Sequence, residues 1–146
     1  MVKGEASIVI NRPIAEVFAF VADDRNASRW QPGVVSVRRE PEGSTGVGTK
    51  VFEERIVFPN KRIIAVAEVV EFEEHQKIHE RNTDGPMDVD DLTTFRAVEG
   101  GTEVTICLTL TPKGFLKLIE PFMGLRLQSE IMKGLRTLKP LLEGGQ

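Results

Sequence analysis

The chain has 146 residues, 40% hydrophobic and 28% charged, with a formal net charge of −3. That length suits one domain, 1–146, with a substantial core, and the composition excludes a disordered chain. The charge gives no general pull toward nucleic acid; no apolar run nears the ~20 residues of a membrane span and no signal core follows Met1, so a cytoplasmic protein is expected.

Ser7-Ile8-Val9-Ile10 is a β-branched strand. Pro13 then opens a helix over 13–22, because Ile14, Val17, Phe18 and Val21 follow at i, i+3, i+4 and i+7. Asp23 to Asn26 offers caps for a second short helix that ends near Trp30, before Pro32-Gly33. From Val34 to Thr111 the pattern is that of strands: Val34 to Arg39, Thr49 to Phe58, Ile63 to Phe72, Ile78 to Thr83, Leu92 to Val98 and Thr102 to Leu110. Pro59-Asn60, Asp84-Gly85-Pro86 and Gly100-Gly101 turn the chain, and short turns make neighbouring strands antiparallel.

From Phe115 to Leu142 the apolar residues Leu116, Ile119, Met123, Leu127, Ile131, Leu135, Leu138 and Leu142 recur at three- and four-residue steps. They form one stripe of a helix about 42 Å long if unbroken. Such a rod needs a broad curved surface to cover. Pro121 predicts a kink, with Phe115 to Gly124 as a movable flap. The basic excess in this region (Lys113, Lys117, Arg126, Lys133, Arg136, Lys139) suits either a solvated face or an anionic membrane.

The last strand alternates Val104, Ile106, Leu108 and Leu110 with Thr105, Cys107 and Thr109. Pairing across Gly100-Gly101 sets Ala97 opposite Val104, Phe95 opposite Ile106, Thr93 opposite Leu108 and Asp91 opposite Leu110. Carried back through the other hairpins, the same face takes Ile78 and Glu80, then Ile63, Ala65, Ala67, Val69 and Glu71, then Phe52, Glu54, Ile56 and Phe58. Small residues and carboxylates among large apolar groups predict a cavity between sheet and long helix.

The order of strand, two short helices, six strands and long helix resembles the helix-grip fold. Local patterns agree: Ile10-Asn11-Arg12-Pro13-Ile14-Ala15-Glu16-Val17-Phe18, Asp23 followed by Trp30-Gln31-Pro32, Gly46-Val47-Gly48-Thr49, Glu68-Val69-Val70-Glu71-Phe72, Gly100-Gly101-Thr102-Glu103-Val104-Thr105, and Leu138-Lys139-Pro140-Leu141-Leu142-Glu143. Together they resemble the polyketide cyclase/dehydrase branch of the START-like (SRPBCC, Bet v 1-like) superfamily over essentially the whole chain. The resemblance implies an α+β fold in which a curved antiparallel sheet of about seven strands wraps a long C-terminal helix over a largely apolar pocket. Relatives bind lipids, sterols, quinones, polyketides or plant hormones, and some catalyse cyclisation or dehydration. The shared patterns are structural and imply no catalytic residue.

Gly46-Val47-Gly48 precedes a strand and lacks a following lysine, so it reads as a turn and not a phosphate loop. His75 and His79 are the only histidines and Cys107 the only cysteine; in this register His79 and Cys107 point outward, which argues against a nucleophile relay, a disulfide or a zinc site. We therefore expect no cofactor and no metal. The candidate ligand-binding residues are Phe52, Glu54, Ile56, Ala67, Val69, Glu71, Ile78, Glu80, Asp91, Thr93 and Phe95 on the sheet, and Phe115, Ile119, Phe122, Met123, Arg126 and Leu127 on the helix. Arg126 would be the counter-charge to the acids, and Trp30 would anchor the short helices. Three readings follow: a binding or transport module for a small hydrophobic ligand (lipid, quinone or polyketide-like), a cyclase/dehydrase-type enzyme using an inward carboxylate, and a protein-interaction domain.

Overall fold

The structure is a computed structural model that describes residues 1–57 and 60–144. Seven strands form one antiparallel sheet: β1 (Val2–Ile10), β2 (Val34–Glu40), β3 (Lys50–Val57), β4 (Lys61–Glu73), β5 (Lys77–Asn82), β6 (Met87–Val98) and β7 (Gly101–Pro112). Their spatial order is β1-β7-β6-β5-β4-β3-β2, so β1 and β2 are the two edges. Between β1 and β2 run α1 (Ile14–Ala22), a 3-10 turn at Asp24–Asn26 and the single-turn α2 (Ala27–Trp30). A 3-10 segment, Gly114–Ile119, leads into α3 (Glu120–Glu143). This is the helix-grip architecture that the sequence predicts.

The core lies where α1, α2 and α3 meet the concave face of β1, β7 and β6. Val2, Ala6, Ile10, Val104, Ile106 and Phe95 from the sheet pack with Val17 and Phe18 of α1, Trp30 of α2, and Leu127, Ile131, Leu135, Leu138 and Leu142 of α3. Alternation explains the strand share: on β1 the even positions 2, 4, 6 and 10 are buried. Gly4 lets α3 come close, since a Cβ there would stand 2.9 Å from Leu127 Cγ and 3.0 Å from Ile131 Cδ1. Polar groups then fasten α3 along the free edge of β1. Gln128 accepts from the Glu5 N–H at 3.1 Å and donates to the Glu5 carbonyl at 2.6 Å; Lys139 Nζ donates to the Val9 carbonyl at 2.5 Å. Trp30 is buried against Gly134 of α3, so it packs α2 on the long helix, whereas the sequence predicts that it anchors the short helices on the sheet.

Three expectations need correction. The β6–β7 hairpin pairs Phe95 with Val104 and Thr93 with Ile106, two residues from the predicted register. A two-residue slip keeps every side chain on its face. Pro121 falls in the first turn of α3, where its missing N–H is not needed, so it marks the change from 3-10 to α-helix and makes no mid-helix kink. The proline inside α3 is Pro140.

The third correction concerns β3 and part of β4. Val57 pairs with Lys61, leaving three residues in the turn, where the sequence reading used Pro59-Asn60 alone. The odd count reverses β3: Val51, Glu53 and Arg55 face inward opposite Ala67, Ala65 and Ile63. Phe52, Glu54 and Ile56 face outward, and Phe58 lies outside the described residues. On β4 a bulge between Val69 and Glu71 turns Glu71 out beside His79 and brings Phe72 in beside Ile78.

Candidate functional site

The concave face has a dry half and a polar half. α3 packs along β1 and α2, which leaves the inner faces of β3, β4 and β5 only half-buried at Glu53, Arg55, Ile63, Ala65, Ala67 and Glu80. Here Glu80 on β5 stands directly across from Asp91 on β6, with Val69 on its other side. Glu53 and Arg55 share that face from β3. The Arg55 Nε–H donates to Glu53 Oε1 at 2.9 Å and an Nη2–H donates to Gln31 Oε1 at 3.2 Å. Asp24, at the turn after α1, adds a fourth carboxylate; beside it Arg39 donates to Thr45 Oγ1 at 2.8 Å, and that hydroxyl donates to the Ala22 carbonyl at 3.2 Å.

These carboxylates oppose one another's ionisation. Burial pushes Asp91 up to about 6, with Glu53 adding to the rise and Arg55 opposing it. Burial likewise raises Glu80 well above the ordinary carboxylate range, helped by the negative charges of Asp24, Asp91 and Glu53. Asp24 is pushed up to about 6, again chiefly by burial, against the pull of Arg39. With Glu80, Asp91 and Asp24 all raised, a protonated carboxyl at this face can donate a hydrogen bond and an ionised one can accept. Among the described residues, the buried Oδ1 of Asp91 has no hydrogen-bond partner.

The sequence reading placed Glu80 and Asp91 on this face, and the register agrees. It missed Glu53, Arg55, Asp24 and Arg39. The largest opposing charges come from Arg55 and Arg39, whereas Arg126 is exposed on α3. The signal for the β3 pair was the alternation of Glu53 and Arg55 with Phe52 and Glu54, which one turn residue decided.

The remaining candidates divide. Ala67, Val69, Ile78, Thr93 and Phe95 share the inner face; all but half-exposed Ala67 are buried. Leu127 is buried over Gly4, and Met123 is packed against the core. Phe115, Ile119 and Phe122 are exposed. On the outer face, Arg38 stacks over the Phe52 ring at 4.2 Å, while Glu54 accepts from Ser36 Oγ at 3.0 Å and from Arg62. Glu71 and Asp90 grip the two ring nitrogens of His79 at 2.9 and 2.8 Å, and Lys77 Nζ adds a bond to Glu71 at 2.9 Å. Those partners hold Glu71 below the usual carboxylate range, Lys77 first and His79 next.

Two open hollows lie among the described residues, neither lined by the buried stripe of α3. One, of 730 Å³, is an open cleft between α1, residues 43–45 and the β4–β5 turn. Phe18, Ala19 and Phe72 form its floor, and Arg25, Arg39 and His75 are on its rim. The other, of 530 Å³, is a shallow groove between Val2 and Pro121. Neither hollow is lined by Leu127 or Ile131, both buried, and the half-buried inner surface of β3, β4 and β5 around Glu80 forms a trough. Among the described residues no group of His, Cys, Asp and Glu has metal-binding geometry, and no helix is long and apolar enough to cross a membrane.

Comparison with known proteins agrees with this architecture. The chain is similar to TTHA0849 from Thermus thermophilus (TM-score 0.81, 16% identity, 99% of both chains) and to DR_A0006 from Deinococcus radiodurans (0.74, 18%, 100% of both). It is also similar to the di-domain ARO/CYC StfQ of the steffimycin biosynthetic pathway, at TM-score 0.75 and 14% identity over 98% of this chain and 51% of that one. At such identities the likeness concerns the fold. No curated protein matches at a significant level. The sequence model described as polyketide cyclase/dehydrase and lipid transport matches residues 1–143, so the chain belongs to that family.

Proposed function

We propose that the protein binds a small, largely apolar molecule in the trough beside α3, with the molecule's polar group held by Glu80 and Asp91. The observation that carries this reading is the buried, unpartnered Oδ1 of Asp91, whose residue pairs with Glu80 across β5 and β6. A buried oxygen without a partner costs on the order of 1–3 kcal/mol, which a ligand hydroxyl or amine would recover. Apolar area contributes affinity and the few polar groups fix orientation.

The test is native mass spectrometry of freshly purified protein, followed by organic extraction. A reproducible extra mass is expected; its loss in both Glu80→Gln and Asp91→Asn, with the fold retained, locates the polar end. Unchanged loading in both variants would overturn the reading. Since Glu54 and Glu71 face outward, Glu54→Gln and Glu71→Gln are expected to leave loading unchanged. A drop in either would mean that the ligand lies on the other face.

A second reading is a proton-transfer enzyme of the cyclase/dehydrase type, favoured by two facing carboxyls whose environment raises both. With a polyketide-like substrate it requires turnover that depends on pH near 6 and falls at least about 100-fold in Glu80→Gln while binding persists. Binding without turnover in the intact protein would leave the first reading alone.

A further inference from the structure

α3 and the segment before it expose more apolar surface than a free surface needs. Phe115, Leu118 and Phe122 are 81%, 79% and 79% exposed, and Leu125 is 89% exposed. At about 100° per residue, Phe122 and Leu125 lie about 140° and 160° around α3 from buried Leu127. They therefore point away from the sheet and cannot line the trough. The bond between Gln128 and the Glu5 backbone fixes that orientation.

The same outward face continues, about 120° to 180° from Leu127, with Ser129, Lys133 and Arg136. Two of the helix's three acids sit elsewhere. Glu120 and Glu130 lie within about 60° of Leu127, and Glu120 receives the N-terminal ammonium. Glu143 does share the outward side, but it is held by Lys139 Nζ at 2.7 Å and by the Asn11 N–H at 2.7 Å. A chain with net charge −3 thus presents one helical face that begins with aromatic and leucine side chains and ends in cations.

We propose that this face docks on an anionic lipid bilayer, with Phe115, Leu118, Phe122 and Leu125 entering the interface and Lys133 and Arg136 meeting lipid phosphates. Apolar residues insert a few ångströms into the headgroup region while nearby cations gain from the negative surface potential. An antiparallel second copy would cover only the apolar end and leave Lys133 and Arg136 without anions, whereas an anionic bilayer meets both ends of the face at once. Docking does not depend on what the trough holds.

The experiment is flotation of the intact protein with vesicles of phosphatidylcholine alone or with added phosphatidylglycerol. Binding is expected to the anionic vesicles and to weaken with salt. Phe122→Ser combined with Leu125→Ser should cut it at least about tenfold, and Lys133→Glu combined with Arg136→Glu by a similar factor. All four side chains are exposed, so the folds should survive, as circular dichroism checks. Absence of vesicle binding, equal binding to neutral vesicles, or binding unchanged in both double variants would each overturn the proposal. So would a dimer in solution, dissolved by the serine variant, that leaves vesicle binding intact.

Discussion

Asp91→Asn is expected to make the protein more stable at neutral pH and to flatten the pH dependence of stability between roughly pH 4 and 6. The sign follows from proton binding. Asp91 in the folded chain is pushed up to about 6 from an ordinary 3.8, so across that window the native state binds more protons than the unfolded state. Stability then falls as pH rises through the window, and the full penalty remains above it. A rise of this size corresponds to about 3 kcal/mol at most. The orphaned oxygen survives in asparagine, and the neighbouring acids readjust, which reduces the gain to about 1–2 kcal/mol. Urea unfolding at stepped pH reads it directly. A variant less stable than wild type at neutral pH would mean that Asp91 is paired in the native protein, and the candidate site would lose its open position.

The residue before it behaves in the opposite way. Asp90 faces outward, and although burial raises it, the bonds from His79 and Arg81 outweigh that and hold it below the ordinary range. Its contribution is present above the unfolded pKa and lost as pH falls through the folded one. Asp90→Asn should therefore weaken the protein at neutral pH. Two adjacent carboxylates with opposite signs in one titration give a test that no change in global charge can imitate.

That contrast also shows how far the sequence could be read. Strict alternation placed Asp91 and Glu80 inward because β5, β6 and β7 are joined by turns whose parity the sequence pattern carries. The slip in the last hairpin was even and therefore harmless. The turn after Val57 and the bulge at Val69 each add one residue, and a single residue exchanges the faces of a strand. Neither leaves a mark in composition: no glycine stands at the bulge, and Phe52 and Ile56 look as suited to a wall as Val51 does. The helix stripe was legible through Leu142 because burial and periodicity coincide there. Before Gly124 the same spacing divides, since Met123 packs against the core while Ile119 is exposed. Periodicity reports that a face is apolar; it does not report what covers it.

Gly101→Ala is expected to cost about 3–5 kcal/mol, and to lower the melting temperature by about 10 °C or more. Two independent terms add. Gly101 holds φ at +148°, where an L side chain is strained. A Cβ there would also stand 2.0 Å from the Ile10 carbonyl oxygen and 2.9 Å from Asn11 Cα, and backbone cannot swing aside as a side chain can. Ile10 is where β1 ends: its carbonyl accepts the Arg12 N–H at 2.8 Å, and the Arg12 carbonyl accepts from the buried Thr102 hydroxyl at 2.8 Å. Displacing that turn moves the start of α1 and loosens Ile10 and Val17, both fully buried. Gly100→Ala is the control. Its φ of +88° carries strain of about 1 kcal/mol, but a Cβ there meets nothing within 4 Å. Equal losses in the two variants would show that turn conformation alone accounts for the glycine pair. A loss confined to Gly101→Ala would show that β7 and the end of β1 are locked by contact, and that this contact sets the position of α1 beside the acids.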